Sequence, residues 1–298
     1  MTMLALEIGP DGFAASRVED NVGADEIRRV PIPARAAWDT CRDLLVEVAG
    51  GEEVTRVGIG SVGPLDMAAG VVAPPGIAEW AAGFALVSAV EKLFPDALVL
   101  LTLDGVCLSL AERNFGATSE VFDALAVRVS SRITAGVTVG GFVVVGRTGN
   151  AGNLGHVLVP GFDERCECGG RGCLEAVAGG ISAVNWARAQ GWQGASVDDL
   201  VGQARAGDEL ADAALTRAGT ALGGAIASVA ALLDLDLVAL GGTMAAPGTS
   251  LWKALGAAVA THARLGHLTG LRVVPSELGE VGVLAGAGVL ALTAGGNS

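Results

Sequence analysis

Apolar residues along this chain fall into two rhythms. Short runs have the length of strands: Leu4–Ile8, Val57–Ser61, Leu98–Leu101, Ala124–Val129, Ala135–Val145 and Leu237–Leu240. Longer stretches between them carry helical patterns: Trp38–Ala49, Leu86–Leu93, Val106–Arg113 and the Ala- and Gly-rich Thr216–Leu233. Strands alternating with helices predict an α/β fold in layers. The hairpin-like run from Ala124 to Val145 adds antiparallel pairing, so the sheets are expected to be mixed.

The pattern divides into two α/β units. The first covers residues 1–103, rejoined by a last helix at about 282–298, and the second covers 104–281. Two units without a flexible linker predict a cleft between them, a usual place for ligands. Gly191–Asp208 is polar and turn-rich and reads as a surface excursion.

Composition narrows the function classes. The 298 residues are 51% hydrophobic and 17% charged, enough apolar material for a large core. Aromatics are 4% and Tyr is absent, so that core must be built from Ala, Val and Leu. A net charge of −13 opposes nucleic-acid phosphates and anionic membranes as partners. The opening residues lack the basic and then apolar form of a secretory leader. The uncharged stretch Ala218–Leu233 is short for a membrane span and closes on Asp234 and Asp236. A buried helix and a cytoplasmic protein are expected.

The sharpest chemical signal is His156 with Cys166, Cys168 and Cys173, spaced H-x9-C-x-C-x4-C. Zinc takes four such ligands in a tetrahedron, and Cys3His is a common closed structural set. Glycines at 169, 170 and 172 let the backbone turn tightly enough to gather the sulfurs. A loop disulfide such as Cys166–Cys173, or free thiols, is the alternative, disfavoured in a reducing compartment. Cys41 and Cys107 sit in apolar surroundings and read as buried fillers.

Other candidates are weaker one by one. Asp104 stands where a strand gives way to a helix, a position that suits either a ligand-facing acid or a plain helix cap. Gly241-Gly242-Thr243 follows a strand and precedes a helix, which suits an anion or a tight turn. Asn150 and Asn153 are of the type that bind hydroxyls, and Glu175 opens a helix just after Cys173, where it could equally favour the helix N-terminus.

Taken in order, these blocks resemble the ROK family (repressor, open reading frame, kinase) over nearly the whole length. The resemblance rests on Gly152-Asn153-Leu154-Gly155-His156, on the run from Cys166 to Glu175, and on Val57–Asp66. Pro74-Pro75-Gly76, Asp104 with Ala111–Gly116, and Asp236–Thr243 support it by their order. It implies an actin-like, hexokinase-like (ribonuclease H-like) two-domain fold with a central cleft. It implies an ATP- and magnesium-dependent sugar kinase of the glucokinase-like branch, a homodimer with a structural zinc. By the same resemblance Asp104 is the catalytic base on the sugar hydroxyl, and Asn153, His156 and Glu175 contact the sugar. Gly9, Arg132, Gly241, Gly242 and Thr243 map to the nucleotide. The repressor branch carries a helix-turn-helix ahead of the first strand; here the first strand opens the sequence, and the acidic charge also opposes DNA.

Departures from the family pattern concentrate where phosphate should sit. The opening Asp-x-Gly-Gly-Thr is Glu7-Ile8-Gly9-Pro10-Asp11, which removes an N–H and adds a negative charge. The second, Gly-Thr-Gly-rich loop is Ser130-Ser131-Arg132-Ile133-Thr134, with Arg132 as the one compensating cation. On the sugar side Asn-Asp-Ala-Asn becomes Leu103–Val106, and Asn153 and Gly76 replace a Glu and an Asn. Weak or lost phosphotransfer, as in a pseudokinase, is the resulting expectation.

Overall fold

The computed structural model describes residues 2–22 and 26–293. In the first unit, β1 (Thr2–Ile8) and β2 (Gly12–Val18) form an antiparallel hairpin, extended by β3 (Arg28–Pro31). Helix α1 (Ala37–Ala49) follows, and β4 (Val54–Ser61) returns parallel to β1. The short strands β5 (Leu65–Asp66) and β6 (Val71–Val72) pair with each other. Helix α2 (Leu86–Leu93) leads to β7 (Leu98–Leu103), parallel to β4, and directly into α3 (Asp104–Phe115). The sheet order is β3-β2-β1-β4-β7.

The second unit repeats this plan. Strands β8 (Ala124–Val129) and β9 (Ile133–Val139) form an antiparallel hairpin, with β10 (Phe142–Val143) at its edge. Four helices intervene: α4 (Leu174–Ala178), α5 (Gly180–Ala189), α6 (Val197–Arg205) and α7 (Glu209–Leu233). Then β11 (Leu237–Gly241) pairs parallel to β8, α8 (Ser250–His262) crosses, and β12 (Arg272–Pro275) pairs parallel to β11. The order β10-β9-β8-β11-β12 is again an antiparallel meander joined to parallel crossover strands. Both hairpin turns therefore sit at the same place in their sheets. Helix α9 (Gly282–Thr293) groups with the first unit, as do α3 and residues 143–152.

Two readings of the pattern need correction. The run Ala135–Val145 is not one strand: Gly140 and Gly141 have φ of +57° and +83°, which ends β9 and starts β10. The excursion at Gly191–Asp208 contains α6, begun by a capping box in which Ser196 and Asp199 exchange side-chain and backbone hydrogen bonds.

The Ala/Gly-rich stretch is the C-terminal part of α7. By length and composition α7 alone among the described helices could cross a membrane. Its small residues have a packing role instead. A Cβ on Gly219 would lie 2.3 Å from the Leu251 carbonyl oxygen, and one on Gly223 would lie 2.6 Å from Ala258 Cβ. Helices α7 and α8 thus approach backbone to backbone, burying Ala218, Leu222 and Ile226 on α7 and Leu255 on α8.

Candidate active site and metal centre

In the first unit, the β1–β2 hairpin turns at residues 9–12. The Gly9 N–H donates to the Gly12 carbonyl at 2.9 Å, Pro10 has no N–H, and Asp11 is exposed.

Asp104 opens α3 at the carboxyl end of β7. It is buried, and its Oδ1 accepts from the Gly105 N–H at 2.7 Å. Three residues on, burial raises the Cys107 thiol well above its ordinary value, and the nearby carboxylates of Asp104 and Glu7 raise it further. Glu7 and Asp104 are thus neighbours of one thiol, at the carboxyl ends of two parallel strands. Cys41 is also buried, which pushes its thiol up to about 12. Neither cysteine has thiolate character at neutral pH.

Asn150 is not available to a sugar. Its Oδ1 accepts from the Leu65 N–H at 3.0 Å and its Nδ2 donates to the Leu65 carbonyl at 2.7 Å. The amide replaces a strand partner along β5.

In the second unit, residues 153–179 form one braced segment. Asn153 precedes a single 3₁₀ turn, Leu154–His156. The Cys166 N–H bonds the Gly170 carbonyl at 2.9 Å, the Gly172 N–H bonds the Glu164 carbonyl at 2.9 Å, and Gly172 has φ +71°. Arg171 grips Asp163 with both ends of its guanidinium, at 2.8 and 2.5 Å. Glu164 in turn pairs with Arg217, whose guanidinium lies 4.9 Å from the centre of the Phe162 ring.

This bracing gathers the four metal-ligand candidates. One ligand atom from each of His156, Cys166, Cys168 and Cys173 lies within 4.8 Å of the others. The His156 Nδ1 to Cys166 Sγ distance is 3.8 Å and Cys168 Sγ to Cys173 Sγ is 3.7 Å. A regular tetrahedron with bonds near 2.3 Å has edges of ~3.8 Å, so the set fits zinc. All three cysteines are free, and the Cys168 and Cys173 sulfurs, 3.7 Å apart, stand far beyond a bonded pair at ~2.05 Å.

Glu175 lies two residues beyond the last cysteine, in α4. Its Oε2 accepts from the Ile133 N–H at 2.8 Å. Burial pushes its carboxyl up to about 7, against that backbone donor and the Arg132 charge. Two glycines make its room. A Cβ on Gly179 would lie 2.3 Å from Oε1, and one on Gly155 would lie 3.1 Å from Oε2.

The β8–β9 turn is pinned by its carbonyls. Those of Ser130 and Ser131 accept from Gly180 and Ile181, the first N–H groups of α5, each at 3.0 Å. Arg132, the expected phosphate cation, pairs with Glu167 at 2.6 Å. Beside this turn, Gly242 (φ +94°) swings the chain after β11 so that Thr243 meets Ser130 and Glu280. Glu280 Oε1 accepts from Ser130 Oγ at 2.6 Å, from the Thr243 N–H at 3.1 Å and from Thr243 Oγ1 at 3.2 Å. Arg128 Nη1 lies 3.9 Å from Glu280 Oε2 and donates to the Glu280 carbonyl at 3.4 Å.

Asn153, His156, Glu175 and the three cysteines therefore share one segment. Gly241, Gly242 and Thr243 share a second locus with Ser130, while Arg132 is drawn to Glu167 in the cysteine loop and Gly9 and Asp104 belong to the first unit. Sequence reasoning missed Arg128 and Glu280. No local pattern could have found Glu280, which stands 37 residues from Thr243 and 150 from Ser130.

Comparison with known proteins bears on both units. The sequence model of the ROK family matches residues 3–294. An N-acetylmannosamine kinase of Citrobacter koseri is 31% identical over 247 residues, 82% of this chain and 84% of that protein. A glucokinase of Thermotoga maritima is 28% identical over 317 aligned positions, 99% of each chain. The crystal structure of a ROK family glucokinase from Streptomyces griseus, in complex with glucose and AMPPNP, superposes with a TM-score of 0.86. It covers 98% of this chain and 100% of that one at 23% identity.

Proposed function

Because this chain belongs to the ROK family and has its actin-like, hexokinase-like fold, we propose that it is a sugar-binding protein with weak or lost phosphotransfer. The relatives named above are kinases of glucose and N-acetylmannosamine, which makes a hexose or N-acylhexosamine the ligand class. Zinc on His156, Cys166, Cys168 and Cys173 would hold the segment that carries the sugar contacts. Bound through Nδ1, the His156 ring keeps its Nε2 proton and can donate to a sugar hydroxyl. Glu175, seated by Gly155 and Gly179, and Asn153 supply further hydrogen bonds. This zinc is structural and takes no part in the chemistry.

The observation that carries the reading is the turn at residues 9–12. Its Gly9 N–H is used within the hairpin, Pro10 offers none, and Asp11 adds charge. Two like charges near 4 Å repel by about 1 kcal/mol in water and about 4 kcal/mol at an effective dielectric near 20. Phosphoryl transfer depends on positioning and on charge stabilisation, and this turn opposes both. The cytoplasmic setting and a homodimer belong to the same reading.

A second reading, an active ATP- and magnesium-dependent hexose or N-acylhexosamine kinase, is favoured by one observation. Asp104 keeps a buried place at the end of a parallel strand, where a carboxylate can take the proton of an attacking hydroxyl. A panel of sugars with ATP and magnesium, read by ADP release, separates the two. The expected result is sugar binding by calorimetry with negligible turnover. Turnover of about 1 s⁻¹ or faster on any sugar, within the ordinary enzyme range, would establish the second reading.

A further inference from the structure

Glu280 occupies an unusual place for a half-exposed carboxylate. One of its oxygens is the meeting point of three donors from two separate turns: the Ser130 hydroxyl, the Thr243 hydroxyl and the Thr243 N–H. Arg128, itself buried, stands behind the other oxygen. Hydroxyl and backbone N–H donors on one oxygen, with a guanidinium near the other, make an oxyanion nest around the carboxylate. A phosphate oxygen resembles a carboxylate oxygen in size and charge, so the same donors suit either.

The side chain of Glu280 is 49% exposed, so it is not a core residue. What it does is satisfy the donors and hold a negative charge among them. A second anion cannot use the nest while that charge remains.

We propose that Glu280 is an internal anion seated in a phosphate-type nest, and that its charge, not a shortage of donors, excludes phosphate groups from this part of the second unit. The inference rests on the reading of this chain as a sugar-kinase relative, in which the family resemblance maps Gly241–Thr243 to the nucleotide. It adds a residue that sets what the nucleotide end accepts, and it makes the exclusion reversible by one substitution.

The test is calorimetric titration of the full chain with sodium pyrophosphate, ADP and adenosine at fixed ionic strength. The proteins are the wild type, Glu280→Ala, Glu280→Gln and the double variant Glu280→Ala with Ser130→Ala. Removing the charge should tighten pyrophosphate and ADP binding by about tenfold or more in Glu280→Ala, as expected for relief of like-charge repulsion, and leave adenosine unchanged. Glu280→Gln keeps the shape and the contacts and should gain less, and loss of the Ser130 hydroxyl should return most of the gain. Unchanged pyrophosphate affinity in both single variants would overturn the proposal. An equal gain for adenosine would overturn it too, since that would mean opened space and not a removed charge. Titrating sugar into the same samples keeps the readings apart: a wild type that binds no sugar sinks the proposed function and leaves the pyrophosphate comparison standing.

Discussion

The segment around the cysteines and the turn around Glu280 lie in the same unit and use opposite logic. In the first, four soft ligands are held within 4.8 Å of one another by backbone turns and by ion pairs such as Arg171 with Asp163. Three sulfurs and an imidazole nitrogen this close together match the ligand set of a structural zinc. In the second, donors converge and the chain itself supplies the anion, Glu280. On the reading proposed above, one locus takes an ion from outside, and the other is closed by a residue from inside.

The largest effect that can break this comparison is on the metal side. Cys173→Ser should abolish stoichiometric zinc, measured by atomic emission on protein prepared without chelator. It should also destabilise the fold by about 3 kcal/mol, seen as a fall of ~10 °C in the melting midpoint. An unchanged midpoint with no zinc in the wild type would remove the contrast altogether.

Asp104→Asn comes next. Any residual turnover should fall by about 10²-fold or more, the usual contribution of a general base, with sugar affinity unaltered. Full activity in that variant would take Asp104 out of the reaction. Smaller again is the paired change Pro10→Gly with Asp11→Thr. It restores an N–H and removes a charge at the first hairpin, and should raise affinity for magnesium-ATP by about tenfold. No gain there, beside a gain in Glu280→Ala, would place the whole barrier to phosphate at Glu280.

The smallest effect is a control on the stability readout. The Glu79 carboxylate accepts from the Ala36 and Ala37 N–H groups at the start of α1, and those bonds hold its value below the usual carboxylate range. A carboxylate depressed in the folded state stabilises the protein above its unfolded value, near 4.5, and loses that contribution as pH falls through the lower folded value. Glu79→Gln should therefore lower neutral-pH stability slightly, flatten the acid limb of the pH–stability profile by the same amount, and leave zinc content alone. Acid loss of zinc, which needs protonation of the ligands, then appears separately.

Much of this was legible in one dimension. The strand Ala124–Val129 and the helix Leu86–Leu93 were bounded to the residue, because a strand buried on both faces reads as a short apolar run and a helix buried on one face imposes a period on the sequence. The ligand set at 156, 166, 168 and 173 was legible because a short loop can close around an ion using only local turns. The helix α6 was missed although Ser196 and Asp199 form a capping box, since the turn residues around it outweighed that signal. Asn150 misled for a different reason: an amide that binds hydroxyls serves a strand backbone equally well.

The sequence alone determined the family, the layered α/β architecture and the four clustered metal-ligand candidates, all of which depend on local spacing or on patterns ordered along the chain. Only the tertiary structure decided which donors meet which acceptors. Ser130, Thr243 and Glu280 come together because parallel crossover strands carry distant segments to one sheet end. Whether a turn welcomes or refuses an anion depends on the charge that arrives there in space, and no spacing along the chain records it.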